Sequence, residues 1–233
     1  MSKILTLFLF LSCMILNTGC NENDKPKLEN EDNVVAEDVQ KKEEEKPQDT
    51  IDPRNNWQKP GFIISQLGDL EGKVVADIGA GELGYFVFKL IKQSKAKHVI
   101  AIDIDPEAVK VLDQIKSALP ANQQDRLSTR LAQENDPKLE PNEVDIALIV
   151  NTIAYISNRL DYFRNLRKNL KEGGKVVIVD FKTKRIPDSI EAPLYEYRAY
   201  LHVVEEELYE AGFSFIETDD TNLEYQYRIT AHK

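Results

Sequence analysis

From Lys73 onward the chain alternates short runs of β-branched and other apolar residues with longer stretches in which apolar positions recur every three or four residues. The runs Lys73 to Ile78 (KVVADI), His98 to Asp103 (HVIAID), Val144 to Val150 (VDIALIV) and Lys175 to Phe181 (KVVIVDF) are nearly continuously apolar. Strands covered on both faces of a parallel sheet read this way. Val144 to Val150 is the most hydrophobic of them and is predicted to be central. Tyr85 to Lys92 reads as a helix, and Pro106 opens another whose stripe of Ala108, Val111, Leu112, Ile115 and Leu119 is predicted to face the core. A further helix turns Leu160, Phe163, Leu166 and Leu170 inward and is predicted to stop at Gly173-Gly174. Val203 to Glu210 forms a last helix ending near Gly212, after which Phe213 to Glu217 and Tyr225 to Ala231 alternate like two paired antiparallel strands. This order predicts an α/β fold: a Rossmann-like three-layer sandwich, its mostly parallel sheet covered by helices on both faces and completed by a C-terminal antiparallel strand pair.

The first fifty residues follow a different pattern. After Lys3 comes an apolar run of thirteen residues, Ile4 to Leu16, broken only by Thr6, Ser12 and Cys13. That is the length of a signal peptide and short of the roughly 20 residues a membrane-spanning helix needs. The run ends in Leu16-Asn17-Thr18-Gly19-Cys20, which resembles the lipobox at which bacterial lipoproteins are cleaved and lipidated, although the leucine stands one place further from the cysteine than is usual there. Residues 1–20 are therefore expected to be a lipoprotein-type signal peptide, with Cys20 as the membrane anchor and the rest of the chain extracytoplasmic, on the periplasmic or outer-membrane side. Residues 21–50 hold eleven acidic side chains against five lysines and almost nothing large and apolar. Such a stretch buries too little surface to offset the entropy of ordering it, so it is expected to be a disordered acidic linker. The folded domain is then residues 51–233.

Charge and cysteine count narrow the chemistry. A net charge of -10 and a pI near 5.0 speak against a nucleic-acid partner, which would need clustered Lys and Arg to meet phosphates. Cys13 and Cys20 are the only cysteines, so the domain holds no thiolate ligand, disulfide or cysteine nucleophile. His98, His202 and His232 lack ligand-like spacing, and no metal is expected.

The informative turn is Asp77-Ile78-Gly79-Ala80-Gly81-Glu82-Leu83-Gly84, placed where a predicted strand passes into a predicted helix. Glycines there let backbone amides approach a ligand that a Cβ would push away, and the helix N-terminus favours an anionic group. The spacing fits a dinucleotide fingerprint as well. Asp77 favours another ligand, because a pyrophosphate is poorly served by a carboxylate so close. Asp103, 24 residues after Gly79 at the end of the second strand, can accept hydrogen bonds from both hydroxyls of a ribose, whichever nucleoside carries it.

Taken in order, Arg54-Asn-Asn-Trp57-Gln58-Lys59-Pro60, Val75-Ala-Asp-Ile-Gly-Ala-Gly81, Asp136-Pro137-Lys138-Leu139, Val144-Asp145 and Val150-Asn151-Thr152 resemble the successive motifs of class I S-adenosylmethionine (SAM)-dependent methyltransferases, across nearly all of residues 51–233. The resemblance implies SAM as cofactor. It places Asp77, Gly79 and Gly81 at the methionine end, Asp103 at the ribose and Glu134 or Asp136 at the adenine edge, with Ala80, Ile104 and Asn151 completing the cofactor-binding set. Two departures stand out. The family usually has one residue between the second and third glycines, where this chain has Glu82-Leu83, and Ile153-Ala154-Tyr155 stands where relatives often carry an aromatic residue and a histidine pair.

Methyl transfer is an in-line displacement that needs alignment more than a covalent catalyst. The candidates near an acceptor are Asn151 and Tyr155 after the Val144 to Val150 strand and Asp180 near the end of the Lys175 to Phe181 strand, each of which could instead serve packing or turn formation. The expected acceptor is a small molecule or a lipid-proximal group. Two alternatives accompany this reading. Export would separate the domain from the cytoplasm, where SAM is made, and favours a non-catalytic extracytoplasmic binding module on the same fold; the glycine spacing by itself allows an NAD-dependent oxidoreductase.

Overall fold

The computed structural model of the chain describes residues 52–233; the signal, the lipobox cysteine and the whole acidic linker lie outside them. Two short helices, α1 (Arg54–Trp57) and α2 (Pro60–Gln66), precede the sheet. Then follow β1 (Val74–Ile78), α3 (Tyr85–Gln93), β2 (His98–Asp103), α4 (Pro106–Ser117), α5 (Ala121–Gln124), β3 (Leu127–Leu131), β4 (Val144–Val150), α6 (Arg159–Asn169), β5 (Leu170–Phe181), α7 (Leu201–Glu210), β6 (Ser214–Asp219) and β7 (Gln226–His232).

The seven strands lie in the order β3-β2-β1-β4-β5-β7-β6. The first five in that row are parallel, and β7 joins β5 and β6 antiparallel. The expected three-layer α/β sandwich with its terminal antiparallel pair is the fold observed, and β4, the most apolar strand, sits in the middle. Side chains of successive strand residues point to opposite faces. Ala76, Ile100, Ile102, Ala147, Ile149, Val176 and Ile178 accordingly share one core with Phe163 and Leu166 of α6 and Val204 and Leu208 of α7. Val75, Val99, Ala101, Ile146, Leu148, Val177 and Val179 share the other with Ile63 of α2, Phe86 and Leu90 of α3 and Leu112 of α4.

Several boundaries differ from the sequence expectation. Helix α6 ends at Asn169, and buried Leu170 already pairs with Val144 as the first residue of β5. Gly173-Gly174 therefore does not stop the helix. The pair lies in the interruption of register between Val144 and Ile146, where a Cβ on Gly174 would stand 2.8 Å from the carbonyl oxygen of Lys171 and 2.9 Å from that of Asp145. Of the predicted stripe on α4, Ala108 and Leu112 are fully buried, while Val111, Ile115 and Leu119 lie half-covered at the margin. Asp105 caps that helix, its side chain accepting the N–H of Glu107 at 2.9 Å.

Strand order reverses direction between β1 and β4, and the crevice beyond their carboxyl ends is where a doubly wound sheet opens to a ligand.

Candidate active site

Beyond that crevice lie two cavities that meet at Gly79, Asn151, Thr152 and Tyr155. The first, of about 500 Å³, runs from the glycine turn to Trp57, Phe181 and residues 189–192. The second, of about 480 Å³, is bounded by Asp103, Ile104, Ala132, Gln133, Glu134, Ile156 and Tyr162.

The glycine turn owes its shape to three different needs. Gly79 has φ +77°, and a Cβ there would come within 2.1 Å of Thr152 Oγ1. Thr152 is itself held by hydrogen bonds to the carbonyls of Ile78 and Val150 at 3.3 and 3.0 Å, so it could not give way cheaply. Gly81 has φ +65° with nothing within 4 Å of the Cβ position, which leaves its backbone open to a ligand. Gly84, at φ +55°, is the N-cap of α3, and its Cβ position is blocked by Leu112 and Phe88 at 2.7 Å. The additional residue between Gly81 and Gly84 is taken up in a turn closed by the Gly84 N–H donating to the Gly81 carbonyl at 3.2 Å, and α3 starts undisturbed at Tyr85.

Asp103 ties this turn to the second strand. Its carboxylate accepts the N–H of Gly81 at 2.8 Å and that of Asp105 at 3.0 Å, so both oxygens are fixed while keeping lone pairs for a ligand in the second cavity. Exposed Ile104 follows as an apolar floor beside Ala132 and Ile156.

Asp77 is almost wholly buried at the end of β1. Burial pushes its carboxyl up to about 7, against the pull of the Arg54 guanidinium; Asp103 adds to the rise and the Val87 N–H opposes it. Arg54 lies over the Tyr85 ring at 4.0 Å and donates from Nε to Gln58 Oε1 at 2.9 Å. Helix α1 is fixed above the turn by Asn55, whose Oδ1 accepts from Tyr85 Oη at 2.8 Å and Lys89 Nζ at 3.1 Å. The Trp57 ring stacks on Phe181, centroids 5.7 Å apart.

Of the residues singled out from the sequence, the structure brings together Asp77, Gly79, Ala80, Gly81 and Asn151 in the first cavity and Asp103, Ile104 and Glu134 in the second. Tyr155 is 69% exposed and borders both. Asn151, at φ +57°, holds its place through its N–H to the Val179 carbonyl at 2.9 Å and through Oδ1, which accepts from buried Gln226.

Two others stand apart. Asp136 lies in a shallow depression outside both cavities, its carboxylate engaged by the N–H and Nζ of Lys138 at 2.8 and 2.9 Å. Glu134 is thus the acidic side chain at the inner edge. Asp180 and Phe181 are neighbours on one strand, so only one can face the chamber, and it is Phe181. Asp180 points to the opposite face, wholly buried, and accepts the N–H of Ile153 at 2.9 Å and of Phe181 at 2.7 Å. Burial lifts its carboxyl to about 6 in spite of the amides of Phe181, Ile153, Thr152 and Ala154. It therefore anchors the 152–155 loop and cannot touch an acceptor in the first cavity. Arg54, Tyr85, Thr152 and Phe181 were not singled out as site residues. Arg54 and Thr152 belong to the motifs of the family resemblance, and Tyr85 and Phe181 meet the site only through sheet order.

The geometry fits an adenosyl cofactor bent across the glycine turn. Gly81 leaves open the space a Cβ would fill, Asp103 presents fixed acceptors, and an apolar slot lies on one side with a charged pocket on the other. The profile of a family described as a methyltransferase domain matches residues 69–226. No curated protein sequence matches the chain. Among solved structures, the chain is similar to a SAM-dependent methyltransferase from Aquifex aeolicus (24% identity, 78% of this chain and 93% of that one, TM-score 0.67). It is similar also to Haemonchus contortus phosphoethanolamine N-methyltransferase 2 in complex with phosphomonomethylethanolamine and S-adenosylhomocysteine (17% identity, 76% and 52%, TM-score 0.60). A third similar fold is a possible exported protein from Bordetella parapertussis (17% identity, 76% and 67%, TM-score 0.57).

Proposed function

The chain belongs to the methyltransferase-domain family and is a SAM-dependent methyltransferase, and from that premise we propose that it methylates a small acceptor held in the first cavity, close to a membrane surface to which Cys20 tethers it. The observation that carries the site assignment is the junction of the two cavities at Gly79, with Asp103 pinned to Gly81 on one side and Asp77 and Arg54 on the other.

In this reading Asp103 accepts the ribose hydroxyls, and Ile104, Ala132 and Ile156 sandwich the adenine with Glu134 at its edge. The N–H groups of Gly79 and Ala80 donate to the Ile102 carbonyl and that of Gly81 to Asp103. The turn therefore meets the methionine portion by close approach of its backbone and not by free amides. Arg54 receives its carboxylate and Asp77 lies near its ammonium. SAM supplies the activated methyl group. The protein supplies alignment: Trp57, Phe181 and Tyr155 wall the space from which an acceptor approaches, and Asn151 is held rigid at the junction. Holding two reactants in line can contribute about 7–11 kcal/mol to the rate without a covalent catalyst.

Calorimetric titration of SAM and S-adenosylhomocysteine into the full-length protein checks the site. One-to-one binding is expected, with a change in the emission of Trp57, the only tryptophan of the chain. A folded protein that binds neither molecule overturns the assignment.

The tether is supported by the sequence of residues 1–50. Thirty residues behaving as a random coil would span about 30 Å on average, which would keep the domain within reach of the lipid headgroups. Multiple acyl chains on Cys20 would make the anchorage stable, each buried methylene contributing about 0.8 kcal/mol. Cys20→Ala is expected to accumulate as an uncleaved precursor lacking acyl label when the full chain is expressed in a bacterial host. Unchanged processing would rule the lipobox out.

A further inference from the structure

We propose that the acceptor is an amine, held as its ammonium ion in the chamber formed by Trp57, Phe181 and Tyr155 and methylated on nitrogen. The inference rests on the methyltransferase reading above.

The chamber selects by charge and by surface. Asp52, Asp77 and Glu191 line it against a single cation, Arg54. That cation lies over Tyr85 and feels all three carboxylates; Asp77 stands at the cofactor end and Asp52 beside Arg54, so Glu191 is the carboxylate left facing the acceptor side. Asp52 already accepts the Arg54 N–H at 2.8 Å, whereas among the described residues no hydrogen bond or ion pair occupies Glu191, which is exposed on the 189–192 wall.

Three neighbouring basic residues, Lys182, Lys184 and Arg198, are engaged outside the chamber. Lys182 donates to the carbonyls of Asp220, Leu223 and Glu224, and Arg198 to those of Pro193 at 2.8 Å and Lys184 at 2.7 Å. Lys184 lies 5.5 Å from the Tyr225 ring centroid. An anionic acceptor would therefore meet a lining in which three carboxylates, Asp52, Asp77 and Glu191, stand against one cation, Arg54. An ammonium meets carboxylates and aromatic faces, both of which attract it. The cofactor's sulfonium adds a positive charge to the same space, and the acidic lining offsets the repulsion between the two.

The reaction then balances with the groups present. Glu191 takes one proton from the ammonium, and the freed lone pair on nitrogen forms the bond to the methyl carbon. The carbon–sulfur bond breaks with its electron pair remaining on sulfur. The methylated ammonium carries away the positive charge that the sulfonium brought.

Binding tests this apart from turnover. Full-length protein saturated with S-adenosylhomocysteine is titrated with n-butylamine and 2-phenylethylamine, and separately with 3-phenylpropionate and 2-phenylethanol, while Trp57 emission is followed. The amines are expected to bind at least about tenfold more tightly than the carboxylate or the alcohol, and Glu191→Gln to weaken amine binding by about tenfold while leaving S-adenosylhomocysteine affinity unchanged. Equal binding of the carboxylate or alcohol, no binding of either amine, or indifference of the amines to Glu191→Gln overturns the amine. Failure of S-adenosylhomocysteine itself to bind folded protein takes down the methyltransferase site and this proposal together.

Discussion

Replacing Asp103 by alanine is expected to raise the dissociation constant for SAM by at least about a hundredfold while leaving the domain folded. The carboxylate holds the Gly81 and Asp105 amides with its two oxygens and turns its remaining lone pairs toward the second cavity. Hydrogen bonds from two ribose hydroxyls to an ionised acceptor are worth about 1.5–3 kcal/mol each. Losing both removes roughly 3–6 kcal/mol, and each 1.4 kcal/mol is tenfold in affinity. The turn also loses its tie to β2, so part of the cofactor's binding energy would go into re-forming a turn that Asp103 now holds in place. The cost to stability is smaller. Asp103 is only partly buried, and water can reach the amides it leaves behind. Asp103→Asn, which keeps an acceptor and loses the charge, is expected to fall between the two proteins. Calorimetry at fixed ionic strength separates the three, and an alanine variant that binds as tightly as the parent would place the ribose elsewhere.

The elements legible in the sequence were those whose surroundings are uniform along their length. Strands β1, β2, β4 and the second half of β5 are apolar on both faces, and nothing but a covered sheet produces that pattern. Strand β3 does not show it. Leu127 is its one fully buried residue, while Ser128, Thr129 and Arg130 stand half-exposed at the sheet edge, with Arg130 gripping Glu143 through two hydrogen bonds of 2.7 Å. Polarity of that kind is common at edges and reads as loop. Helix α2 escaped because seven residues beginning Pro-Gly give too short a period to recognise.

The site divides in the same way. Asp77, Gly79, Gly81 and Asp103 could be read because one strand–turn–helix unit and the end of the next strand contain them. The wall of the first cavity could be read only at Tyr155, because Trp57 and Phe181 come from distant segments that only the strand order assembles beside it. Asp180 shows the limit of reading position without parity. It ends the correct strand at the correct side of the sheet, and a shift of one residue separates a loop anchor from a chamber wall.

Asp77→Asn is expected to stabilise the cofactor-free protein at alkaline pH and to weaken its hold on SAM. The carboxyl titrates near 7 in the folded protein, against an ordinary value of 3.8, because burial disfavours its charged form more than Arg54 and Val87 favour it. A raised carboxyl pKa means that the folded protein binds the proton more tightly than the unfolded chain does. The stabilising contribution is therefore complete below about pH 4 and is lost as pH rises through 7. At about 1.4 kcal/mol per unit the full difference is on the order of 4 kcal/mol, an upper bound, since Arg54 would lose a partner in the variant. Asparagine imitates the neutral acid at every pH, so urea unfolding should find the two proteins within about 1 kcal/mol of each other at pH 4.5 and the variant ahead by roughly 2–4 kcal/mol at pH 8.5. Asp180, whose carboxyl is also raised, to about 6, contributes a decline of the same sign in both proteins and cancels in the comparison. A gain of equal size at both pH values would show that packing, and not ionisation, separates the two side chains. With SAM present the order should reverse, because the ammonium of its methionine portion meets a carboxylate in the parent and an amide in the variant. A charge that the empty fold bears at a cost would then be retained for the ligand it meets, and the difference in sign between the free and the bound protein is what distinguishes a binding residue from a structural one.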